Sequence, residues 1–158
     1  MGARRRAARD GDRQIDTAHL LHTLLEADPA ARGAFPGGPA QVARLLGYLV
    51  QRTIGYGLRW SGTVEDSGRL PALSGGAMPG WSPAAAGAMR EAYARAHARG
   101  AGRVHGTDLL AALVRDPRCR AVDVLQRAGV DAGLLAACVD GACVDGALMD
   151  AGNHSECG

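Results

Sequence analysis

The chain is 158 residues long, the length of one compact domain, and is 47% hydrophobic but only 4% aromatic. Its core must therefore be built from Ala, Leu and Val, which favours close-packed helices over a sheet. The net charge of +2 predicts no strongly charged partner, and all 18 basic residues are Arg, which excludes a Lys-based phosphate loop and Schiff-base or lysine general-base chemistry.

Arg4, Arg5, Arg6 and Arg9 cluster on a first half-helix. Thr17 is placed to cap a helix running to about Ala27, with Leu20, Leu21, Leu24 and Leu25 on one face and Asp28-Pro29 as its stop. A short helical turn is expected over Ala30 to Phe35, and Pro36-Gly37-Gly38-Pro39 breaks the chain. Ala40 to Thr53 reads as a helix with Val42, Leu45, Leu46 and Leu49 on one stripe. From Gly55 to Gly80 the periodicity is lost, and this stretch reads as a linker in which Glu65 and Asp66 are solvated. Ser82 is an N-cap and Pro83 a first helical residue. That helix should run to about Arg99 and turn Met89, Ala92, Tyr93 and Ala96 inward, with Gly100 closing it. Gly106 or Thr107 opens the next helix through Val114, Pro117 to Ala128 forms another, and Gly129 closes it. Asp131 caps a last helix to about Val139. The tail 140–158 is rich in Gly and Asp and reads as disordered.

The Arg-rich start is followed by polar residues, not by the apolar run of a signal peptide. No stretch approaches the roughly 18 apolar residues of a membrane span. Four cysteines do not make a disulfide scaffold. The expectation is a reduced, cytoplasmic protein.

The strongest signal is an internal repeat. Residues Ala3–Leu25 overlay Ala92–Val114 without a gap at an offset of 89, with seven identities: Ala3/Ala92, Arg6/Arg95, Ala7/Ala96, Gly11/Gly100, Leu20/Leu109, Leu21/Leu110 and Leu24/Leu113. After a one-residue shift, Asp28-Pro29 pairs with Asp116-Pro117. Such a repeat implies two copies of one helical unit packed together, hence a binding module more than a single-site enzyme.

Ile15-Asp16-Thr17-Ala18-His19-Leu20-Leu21 resembles the Ile-Gly-Thr-Glu-His-hydrophobic-Leu motif of the amino-terminal repeats of Clp unfoldases. Trp81-Ser82-Pro83 resembles the aromatic-Thr/Ser-Pro start of the second repeat, and Val124 to Asp131 the family's helix followed by a Gly-apolar turn. The resemblance spans residues 3–139. It implies an all-α domain of two four-helix repeats (repeat one 1–54, linker 55–80, repeat two 81–139) related by a pseudo-twofold, without catalysis or cofactor. Such domains dock adaptors and substrates, and in some ClpC proteins phosphoarginine or cyclic peptide antibiotics. Three departures stand out. Ala18 and Thr107 replace the motif Glu, which removes the carboxylates a guanidinium would pair with. His19 keeps the motif His, but Asp108 stands at its repeat-two position. Repeat one also has only 14 residues before Ile15, where repeat two has 22 from Ser82 to Arg103. The first repeat is thus expected to start in mid-helix, exposing the Leu20/Leu24 face or giving it to a partner, for example in a homodimer.

By that resemblance, the groove near the starts of the first and fifth helices would bind a peptide or partner through Trp81, Ala86, Arg4 and Met1. Trp81 offers a flat apolar face with an N–H donor, or else packs as a staple on the helix it precedes. The expected partners are Clp unfoldase or protease components, adaptors, substrate peptides or cyclic peptides, with neither membrane nor nucleic acid. The arginine cluster reads as a solvated face; as an alternative, it would contact nucleic acid. His19 and His22, spaced i, i+3, read as packing residues and not as metal ligands. Cys138, Cys143, His154 and Cys157 are the residues on which an alternative, a small metal-binding protein, would rest. No nucleophile elbow, Cys/His or paired-carboxylate arrangement stands out.

Overall fold

The computed structural model describes residues 2–10, 12, 14–53, 65 and 80–141. Among them it has eight helices and no strand: α1 (Gly2–Asp10), α2 (Thr17–Ala27), α3 (Pro29–Gly33), α4 (Gly38–Thr53), α5 (Pro83–Ala98), α6 (Gly106–Val114), α7 (Arg120–Arg127) and α8 (Ala132–Val139). The all-helical class follows from a core of small aliphatic residues, as expected. No helix among the described residues is long and apolar enough to cross a membrane.

Local signals account for most boundaries. Ser82 Oγ accepts the Ala85 N–H at 3.0 Å, and Asp131 Oδ1 accepts the Leu134 N–H at 2.9 Å. Gly100 and Gly129 take φ of +67° and +78°, the left-handed geometry that ends α5 and α7. Helix α2 is capped by Asp16 and not by Thr17. Asp16 Oδ1 accepts the His19 N–H at 2.9 Å, and the Asp16 N–H donates to His19 Nδ1 at 3.1 Å, a reciprocal capping box. Helix α7 starts at Arg120, not Pro117, because a turn held by the Asp116 carbonyl precedes it (Cys119 N–H, 3.1 Å).

Helices α2 and α6 form the centre. The first packs on α1, α3, α4, α5, α6 and α7; the second packs on α2, α3, α5, α7 and α8. Leu21, Leu25, Leu110 and Leu113 are fully buried between these layers, with Leu45 and Leu49 of α4 and Leu125 and Leu135 below them. Leu20 and Leu24 are buried as well. The short α1 covers α2, and Gly106 of α6 approaches Leu24, so the apolar face expected to be exposed is filled from within the chain.

Helix α5 buries Ala84, Ala85, Ala88, Ala92 and Ala96 against α6. Tyr93, expected inward, is 65% exposed, and Met89 is half-buried. The stripe of Ala at spacings of three and four sets the face, and Tyr93, one residue past Ala92, falls about 100° away from it.

A side chain at Gly106 would overlap the Asp28 carboxylate and stand 2.9 Å from Leu24 Cδ1. Asp28 cannot swing aside freely, because it caps α3 through the Ala30 N–H at 2.8 Å. Alanine is the better helix former by about 1 kcal/mol, but the overpacking is worth about 1–3 kcal/mol in the other direction. Gly106→Ala is therefore expected to destabilise, and a rise in its urea midpoint would show that Asp28 yields.

Candidate functional site

The starts of three helices converge on one carboxylate. Glu65, from the segment between α4 and α5, is 3% exposed. Its Oε2 accepts the Thr17 N–H and the Ser82 hydroxyl, each at 2.8 Å. Its Oε1 accepts the Arg120 N–H at 2.7 Å and the Thr17 hydroxyl. Thr17 Oγ1 in turn accepts the Ala121 N–H at 2.9 Å, and Arg120 Nη1 donates to Asp16 Oδ2 at 2.8 Å. The N-terminal N–H groups of α2 and α7, which have no partner within their own helices, are thus satisfied by one buried charge, placed where the helix dipoles favour it. Glu65 is therefore not solvated as expected. Nothing local marks it, because its partners lie 17, 48 and 55 residues away in sequence. Asp66 lies outside the described residues.

The same junction carries an isolated parallel bridge between Ile15 and Trp81. The Ile15 N–H donates to the Gly80 carbonyl at 2.5 Å, and the Ser82 N–H to the Ile15 carbonyl at 2.9 Å. The two segments that carry the family-like motifs therefore run side by side. Trp81 is half-buried and packs on the core. Ala86 is half-buried in the first turn of α5, and Arg4 is exposed on α1. Met1 lies outside the described residues.

Close by, a cavity of about 40 Å³ is lined by Thr17, Ala88, Glu91, Leu113, Arg115 and Cys119, among others. It exceeds the roughly 10–15 Å³ that a water needs but falls far below the roughly 300–1,000 Å³ of small-molecule pockets, so it admits at most part of a side chain. The Cys119 thiol on its wall donates to the Leu113 carbonyl at 3.3 Å, and burial pushes its pKa up to about 11. At neutral pH it is a packing group and not a nucleophile.

His19 and His22 do not share a site. Arg6 spans His22 at 3.3–3.4 Å and pairs with Glu26, and burial followed by the Arg6 charge lowers the His22 pKa. His19 points the other way. Its Nε2 stands 3.1 Å from Asp12 Oδ2 and 3.4 Å from Asp10 Oδ2, and its Nδ1 stands 2.8 Å from Asp16 Oδ1. These carboxylates were missed in the sequence, where Asp10 and Asp12 sit beyond the end of α1 at no motif spacing. They are the described residues that could hold a metal ion. In the tail, Cys138 sits in the last turn of α8. Cys143, His154 and Cys157 lie outside the described residues.

Of the exposed arginines expected on α1, Arg4, Arg5 and Arg9 face solvent while Arg6 is partly covered by its partners on α2. No family model, no curated protein and no solved structure matches the chain.

Proposed function

We propose that this is a non-catalytic peptide-binding domain of the Clp amino-terminal kind, built from two four-helix repeats, α1–α4 and α5–α8. Exchanging each helix for the one four places on maps the helix pairings onto one another, except for α2 with α5 and α4 with α7. The capping positions of α2 and α6 also correspond across the offset of 89. Asp16 and His19 close one helix start; at the other, Asp108 Oδ2 accepts the His105 N–H at 2.9 Å, with the acid and the imidazole exchanged. Both features support the repeat reading.

The observation that carries the binding reading is the Ile15–Trp81 bridge. It sets the half-buried Trp81, at the start of α5, beside the start of α2, and Thr17 of α2 lines a cavity sized for part of a side chain. An aromatic anchor of this kind dominates small peptide interfaces. The partners that fit are Clp unfoldase components, their adaptors, or peptide segments of substrates. Binding of purified components or of peptides eluted from a pull-down is expected to weaken at least about tenfold in Trp81→Ala, or about 1.4 kcal/mol or more. Tyr93→Ala, on the opposite flank of the buried face of α5, should bind as wild type does. Equal binding by Trp81→Ala would remove the groove from consideration.

A further inference from the structure

The geometry points to a divalent transition-metal site at Asp10, Asp12 and His19, where α1 turns into α2. The His19 side chain is 1% exposed, and its Nε2 has no hydrogen-bond partner although it faces the two carboxylates at 3.1 and 3.4 Å. Asp10 Oδ1 is buried and equally without a hydrogen bond. A buried polar atom without a hydrogen bond calls for an explanation, and a bound ion is one. Neighbouring ligands on one ion, at bond lengths of about 2.1 Å, lie roughly 3.0–3.4 Å apart for octahedral to tetrahedral angles. The two separations from His19 Nε2 fall in that range.

The far side of the imidazole supports the same assignment. Asp16, fully buried and held by Arg120, puts Oδ1 at 2.8 Å from His19 Nδ1. A ligating histidine rests its second ring N–H on such a carboxylate, which fixes the tautomer and directs the other lone pair at the ion. Binding a cation moves the ring proton to Nδ1, where it turns to Asp16 Oδ1 in place of the Asp16 N–H that Nδ1 accepts in the free chain, and leaves the Nε2 lone pair facing Asp10 and Asp12.

The second helix pair shows what this place requires. Eighty-nine positions on from Asp10, Asp12 and His19 stand Arg99, Ala101 and Asp108. There Arg99 donates to both oxygens of Asp108, at 2.6 and 2.8 Å, and so ties the end of α5 to the start of α6. The chain supplies that cation itself. At the end of α1 the corresponding residue is an acid, and Asp12 adds a second; the His19 imidazole faces both, and a bound divalent cation joins all three. One imidazole selects a first-row transition ion over Ca²⁺ or Mg²⁺, and two carboxylates balance its charge. Asp12, with a side chain 36% exposed, opens the site to solvent.

The test titrates Co²⁺ into the chelator-treated full chain and into Asp10→Asn/Asp12→Asn, whose side chains keep their shape. Wild type is expected to take up one equivalent with weak visible bands of nitrogen and oxygen coordination, displaced by Zn²⁺, and to melt higher when loaded. The variant should bind at least about tenfold more weakly. Equal uptake by the two proteins, or a spectrum dominated by thiolate-to-cobalt charge transfer, overturns the assignment. In a second variant, Asp10→Arg/His19→Asp, the second repeat's ion pair is transplanted into the first. Its melting temperature should no longer respond to Co²⁺ or to chelator, and a response as large as that of wild type equally overturns the proposal.

Discussion

Glu65→Ala is expected to lower the unfolding free energy by about 3–5 kcal/mol, roughly the loss of two hydrogen bonds to a charged group at about 1.5–3 kcal/mol each. Two backbone N–H groups and two hydroxyls lose their acceptor at once. Water entering the space left behind recovers part of this, which keeps the loss below the sum of four separate bonds. Against a typical total of about 5–15 kcal/mol, the variant approaches the edge of folding. Glu65→Gln separates charge from shape. Each carboxylate oxygen faces one backbone N–H, Thr17 on one side and Arg120 on the other. Whichever way the amide is turned, its NH₂ meets a backbone donor that cannot rotate away. Gln is therefore expected to be nearly as damaging as Ala, by at least about 2 kcal/mol. Urea unfolding followed by circular dichroism measures both. A Glu65→Gln midpoint within error of wild type would mean that Glu65 does not join the three helix starts.

Leu113→Ala should fall near the upper end of the roughly 2–5 kcal/mol range for core leucine truncation. Leu113 is fully buried on α6 and already lines the cavity of about 40 Å³. Truncation merges the vacated volume with that space, and the residual cavity term grows at about 24 cal/mol per Å³. Much of the wall is helices α5 and α6, closely packed through Ala side chains that have no rotamers with which to fill the gap. Leu109→Ala, at a half-buried position of the same helix, is the comparison. Similar losses in the two, measured by urea unfolding, would show that the helices around Leu113 collapse onto the vacancy.

Where the determinants are local, the structure was legible in the sequence. Ser82-Pro83, Gly100, Gly129 and Asp131 fix their helix ends through atoms within a few residues, and the leucines of α2 and α6 are buried at their expected spacing. Asp16 and Thr17 are both competent caps. Only the distant partners Glu65 and Ala121, which claim the Thr17 hydroxyl, decide between them. The same limit hid the site residues. Glu65 lies in a Gly- and Ser-rich stretch without periodicity, and Asp10, Asp12 and His19 meet only because α1 folds back onto α2. Tyr93 was misplaced for the opposite reason. An aromatic ring outweighs a methyl in any hydropathy pattern, yet five alanines, and not the ring, define the buried face of α5.

That alanine face also governs which codon changes the gene can absorb. Ala85 and Ala92 have no exposed surface, and α6 presents Ala111 and Ala112. A single base change that replaces alanine leads to Val, Thr, Ser, Pro, Asp, Glu or Gly. All but the last enlarge the side chain, and swelling a closely packed contact is worth about 1–3 kcal/mol of destabilisation. Glycine fits but weakens the helix by about 1 kcal/mol. The contact between α5 and α6 thus has no neutral amino-acid replacement one base away, and replacements in this protein should accumulate on the outer flank of α5, around Tyr93, while the stripe beneath it stays alanine.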